Sequence, residues 1–189
     1  MDAIMNAAAV ARVIEGKPRL LIDQLNVELK RNLGTSHYHR LSEEQLSQRH
    51  SHIFDGLAAW LTTKENATLQ KNGEDLGNRR FREGTPLGQV VLVLILVEKH
   101  LGTFLDASAP VEPDVRNAVT EFFQKFAYYT AKGYEAALAV SNRMASRPAM
   151  QAGAEPPRST AMPDAAAGCR SPARREAHVG HRARARQAR

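Results

Sequence analysis

Eight consecutive apolar residues, Val90 to Val97, constrain this chain more than any other stretch, because a segment without a polar face asks to be covered by everything else. Periodicity alone does not separate a buried strand from a buried helix here. Length and flanks do. Apolar residues continue past Glu98, Lys99 and His100 to Leu101, Phe104 and Leu105 at helical spacing, and Thr85-Pro86 offers an N-cap followed by proline at the first helical position. Thr85 to Leu105 therefore reads as a central core helix. The polar triplet at 98–100 interrupts the run well short of the roughly 18 apolar residues of a membrane span, so no membrane association is expected.

Four further helices are predicted around it. Residues 1–16 are alanine-rich and read as an N-terminal appendage, at most a loose helix before Gly16. From Pro18, Ile22, Leu25, Leu29 and Leu33 recur at three-to-four spacing up to Gly34, a fitting C-terminus. A polar connection, Thr35 to Arg40, precedes the clearest start signal in the chain. Ser42 and Gln45 form a capping box, with Leu41 and Leu46 as its hydrophobic staple. Leu46, His50, Ile53, Phe54, Leu57 and Leu61 then share a face, predicting a helix to Thr62 or Thr63.

Asn66 can cap the next helix, which carries Leu69, Gly73, Leu76 and Phe81 and stops at Gly84. Its internal glycines each cost about 1 kcal/mol relative to alanine, unless their smallness lets another helix approach. The last helix, Asp114 to Met144, spans about 45 Å at 1.5 Å per residue. Its stripe runs Val115, Val119, Phe122, Phe126, Tyr129, Gly133 and Ala137, wider than one neighbour requires. Such a helix suits a dimer partner or a downstream domain, with Phe122, Phe126 and Tyr129 as the dimer and transmitter residues.

Charge divides sharply along the chain. Nine of the 26 basic and three of the 20 acidic residues lie from Ser146 onward, which accounts for the net +6 and leaves residues 1–145 with 17 of each sign. The helical part makes no electrostatic case for nucleic acid. The segment 146–189 is rich in alanine, arginine and proline, lacks lysine and aromatic rings, and is expected to be disordered. Its arginines offer phosphate contacts without a stacking platform, so nucleic-acid binding through it would be weak and salt-sensitive. The same residues arise from a GC-rich frame without selection, so a frameshift or truncation of a longer signalling protein is one expected origin.

No catalytic constellation emerges. G-x-S-x-G, G-x-G-x-x-G and the P-loop pattern do not occur, and the one cysteine, Cys169, falls in the tail. A single cysteine and the absence of a basic leader fit a reducing, cytoplasmic setting. His50 and His52 lie on different helix faces, which leaves His100 as the one candidate for a lone axial haem ligand or small-ligand contact. An ordinary core histidine is the commoner role for it, and no cofactor is expected. Arg79, Arg80 and Arg82 can contact an anion or an acidic partner, although cations at a helix C-terminus ordinarily serve the dipole.

The order of elements resembles the RsbRD N-terminal domain, the helical module at the front of RsbT co-antagonist proteins and some sensor histidine kinases. The resemblance rests on Leu41-Ser42-Glu43-Glu44-Gln45-Leu46, on Leu57-Ala58-Ala59-Trp60-Leu61, and on Leu76-Gly77-Asn78-Arg79-Arg80-Phe81-Arg82-Glu83-Gly84-Thr85-Pro86-Leu87, within residues 17 to 140. It implies a sensory or regulatory bundle of bacterial stress signalling, related to non-haem globin-like sensors, that dimerises and signals to a kinase or a STAS-type partner. Where such proteins continue into an output domain, this chain enters its basic tail. The expectation is an all-α, five-helix, non-enzymatic regulatory domain at 17–145, between an appendage at 1–16 and a disordered tail at 146–189. The signal would shift the packing of the apolar helix against the long one.

Overall fold

The computed structural model describes residues 4–16 and 18–146. The tail, with its nine arginines and Cys169, lies outside the described residues, apart from Ser146. Within them the chain is all-helical: α1 Ala7–Glu15, α2 Arg19–Arg31, a 3-10 segment Leu33–Arg40, α3 Glu43–Thr63, α4 Asn66–Arg82, α5 Leu87–Ser108 and α6 Pro113–Ala145. There are thus seven helices among the described residues, where five were expected.

The two additions correct two readings. The alanine-rich N-terminus is no appendage: α1 packs on α3 and buries Val10, Ala11 and Ile14 in the common core. Asn6 caps it by accepting from the Ala9 amide, and Met5 pairs with the α5–α6 connection, donating to Pro110 O at 2.8 Å and accepting from Glu112 N at 3.1 Å. The supposed polar connection coils into the 3-10 segment because Thr35 and Tyr38 turn inward. The Thr35 hydroxyl donates to Leu29 O and the Lys30 ammonium to His39 O, fastening the segment to α2.

The capping box of α3 forms as the sequence requires: Gln45 N donates to Ser42 Oγ at 3.1 Å, and Ser42 N donates to Gln45 Oε1 at 2.9 Å. Asn66 does not cap α4. It is the first helical residue, and its side-chain Oδ1 accepts from Lys125 Nζ of α6 at 3.1 Å instead. Nor does Thr85 cap α5. With Gly84 at φ +69°, the Gly84 amide donates to Phe81 O and the Thr85 amide to Arg80 O, so Gly84-Thr85 closes α4 as a Schellman turn.

The apolar helix α5 is not wrapped on all sides. Val90, Val93, Leu94, Leu96, Val97, Leu101 and Leu105 face the core, yet Ile95 at its midpoint is 54 % exposed. The tightest pair is instead α4 with α6. A Cβ built on Gly73 would lie 2.7 Å from Tyr129 Cβ, and one on Gly133 would lie 2.2 Å from Glu74 O, so the glycines let the two backbones touch. Thr130 completes this seam, fully buried, its hydroxyl donating to Phe126 O at 2.7 Å.

Candidate functional site

α3 and α4 follow one another through Lys64, in a left-handed conformation at φ 54°, and Glu65. They nevertheless diverge, since α3 packs against α1 and α4 is held on α6. The divergence opens a cleft of about 440 Å³, within the range of small-molecule sites. At its base stand Trp60 of α3 and Phe122 and Phe126 of α6. The two phenyl rings stack with centroids 5.3 Å apart, and the indole lies 6.0 Å from Phe122. Lys64 covers the outer face of the indole, its ammonium 3.8 Å from the ring centroid; burial and nearby charge shift its pKa downward on balance.

One end of the cleft is cationic. Arg49 of α3 and Arg79 and Arg80 of α4 meet there. Arg80 is only 7 % exposed and donates to both oxygens of Glu83, at 3.0 and 2.8 Å. Arg49 donates to the same carboxylate at 3.0 Å and lies over the Tyr38 ring at 5.7 Å. Two guanidinium groups thus share one carboxylate, leaving a net positive charge at this end. Desolvation lowers the pKa of Arg49 first, and the neighbouring Arg80 adds to it; burial raises that of Tyr38. Behind them His50 is buried with both ring nitrogens unpartnered, and burial, with Arg49 and Arg80 nearby, holds its pKa at about 4.

Two other buried donors at the cleft lack partners: Trp60 Nε1 and Arg49 Nη1. Uncompensated burial of such groups is costly, so an occupant that brought acceptors to them would be stabilised there. Asp55 and Asp75 flank the middle of the cleft, opposite in sign to its end.

Of the three arginines expected to act together, Arg79 and Arg80 both line the cleft and Arg82 is set apart. Arg79 lines the cleft, Arg80 is locked to Glu83, and Arg82 faces a second groove, between α4 and α6, lined by Phe81, Ala137, Val140 and Met144. The aromatic residues assigned to a dimer are placed differently too. Phe122 and Phe126 are buried within the single chain and Tyr129 is half-buried against Gly73, so these rings are not free to meet a second copy. What α6 leaves uncovered is its end. Beyond Gly133 no described residue is buried, and Leu138, Val140 and Met144 are 42, 43 and 67 % exposed.

His100 stands half-buried on α5 and lines neither the cleft nor the α4/α6 groove. Among the described residues no group of three or more His, Cys, Asp or Glu side chains could hold a metal, and no helix is long and apolar enough to cross a membrane. Sequence reasoning missed Arg49, Glu83 and Tyr38 as one cluster. The spacing of Arg80 and Glu83, three apart at a helix end, is the signal that announces half of it. No family model, curated protein or solved structure matches this chain.

Proposed function

We propose that this chain is a non-enzymatic regulatory module of signal transduction, which takes a signal into its helical bundle and passes it outward along α6. The observation that carries this reading is the overhang: α6 runs about 50 Å, and its last turns leave the bundle bearing Leu138, Val140 and Met144 on the surface. Large apolar side chains left uncovered together at a helix end suit a contact with another chain. A homodimer formed there is the partner proposed, with a kinase or STAS-type protein downstream. The resemblance to the RsbRD N-terminal domain, with its globin-like relation and its place in cytoplasmic stress signalling, belongs to the same proposal.

Phe122 and Phe126 belong to α6 and also floor the cleft, so any occupant of the cleft touches the helix that protrudes. A change in α3 relative to the rigid α4–α6 pair would be felt at that end.

Light scattering after size exclusion on the full chain, with the absorption spectrum taken on the same run, tests the proposal. The expected result is a colourless dimer that becomes monomeric on Leu138→Glu with Met144→Glu. A wild-type monomer overturns it. A Soret band lost on His100→Ala would replace it with a haem sensor, and steeply salt-dependent nucleic-acid binding abolished by removing 147–189 would replace it with a tail-driven binder.

A further inference from the structure

We infer that the α3/α4 cleft is a binding site for a small amphipathic monocarboxylate, with the carboxylate at the Arg49–Arg79 end and an apolar body directed towards Trp60. This rests on the regulatory reading only in that the site would be its point of input.

Three observations converge on that chemistry. Arg79 is exposed at the mouth of the cleft, and its side chain makes no ion pair or hydrogen bond among the described residues, unlike that of Arg80 a residue away. Arg49 spends one amino group on Glu83 and keeps the other, Nη1, buried and unpartnered. A planar carboxylate suits such donors better than any neutral acceptor does, because charge-assisted bonds to guanidinium are short and can be bidentate. Second, the indole of Trp60, its N–H unpartnered, and the stacked Phe122 and Phe126 give the deeper part an apolar floor, with Thr63 and Thr68 also in the lining. Third, Asp75 of α4 stands between these parts, and Glu65 also lines the cleft. They repel a carboxylate placed away from the arginine end, and they disfavour a ligand with a second negative group. The charge pattern thus selects one anionic group and one orientation.

Trp60 is the one tryptophan of the sequence, so its emission reports directly on the cleft. The test titrates the full chain with phenylacetate and with octanoate, following Trp60 fluorescence and, in parallel, heat by calorimetry. Saturable binding of at least one is expected, with phenylacetamide inactive. Arg79→Ala, which removes an exposed side chain without a partner, should weaken binding about tenfold, the loss of one charge-assisted contact. Arg82→Ala, on the other groove, should leave it unchanged.

The inference is overturned if neither acid binds by either readout, if the amide binds as well as the acid, if Arg79→Ala binds like the wild type, or if inorganic phosphate displaces the acids at equal concentration. Oligomeric state measured on the same samples separates the two proposals. A dimer that binds no acid loses the site and keeps the module. A monomer that binds phenylacetate saturably loses the module and keeps the site.

Discussion

Gly77 of α4 sits against Thr130 of α6 so closely that a Cβ at position 77 would stand 1.9 Å from the Thr130 carbonyl oxygen. The obstruction is backbone, and backbone held in a helix cannot swing aside. Gly77→Ala should therefore force α4 and α6 apart and cost about 3 kcal/mol or more, at the upper end of overpacking effects. Gly84→Ala gives the comparison: that position has open space but positive φ, so about 1 kcal/mol is expected. Urea denaturation of both variants checks the order, and equal midpoints would mean the seam is looser than described.

Ile14 decides the standing of the N-terminal helix. Its side chain is fully buried with Val10 in the shared core, so Ile14→Ala should lower stability by about 2–5 kcal/mol, as for any deep aliphatic truncation. An appendage would show no change. Thermal denaturation followed by circular dichroism distinguishes the two.

His50 sets an acid limit. Its pKa in the folded protein, about 4, is below the ordinary 6.5, so the unfolded chain takes up a proton that the folded one refuses. That penalty is absent above about pH 6.5 and grows as pH falls towards 4, reaching on the order of 3 kcal/mol. His50→Phe should flatten the stability profile across this window. An unchanged slope between pH 6.5 and 4 would show that other groups govern it.

Glu83 holds two guanidinium groups, and one of them, Arg80, is buried. Glu83→Gln leaves both without a counter-charge. Glu83 is itself about one-third exposed, which reduces the penalty for a buried broken pair to about 2 kcal/mol. Salt should recover part of this loss in the variant, measured as a rise in its denaturation midpoint with added sodium chloride.

Much of this architecture is legible in the residues, and what escapes does so for definite reasons. The capping box at Ser42 and Gln45 and the stop at Gly84 are local, fixed by neighbours within a turn, and they appear where the pattern puts them. Gly73 and Gly77 were readable as a close-approach surface because small residues four apart share a face. By contrast, the Val90–Val97 run promised cover that Ile95 does not have: an apolar sequence states what a helix would accept, while the neighbours decide which face receives it. The stripe on α6 singled out Phe122 and Phe126 and assigned them to a dimer face. Only the divergence of α3 from α4 makes them the base of a cleft rather than a contact between copies. That divergence depends on α1, whose alanine-rich pattern looked too slight to hold anything.

The pairing of Met5 with Pro110 and Glu112 has a consequence for how the chain is made. On the ribosome, Met5 is added roughly a hundred residues before the backbone groups it binds. Until the α5–α6 connection clears the exit tunnel, the apolar face of α1 has α3 as its main cover, and the short extended segment before it lacks its backbone partners. The nascent protein therefore joins these parts by closing a ring, the segment at Met5 waiting for the connection that leads into α6.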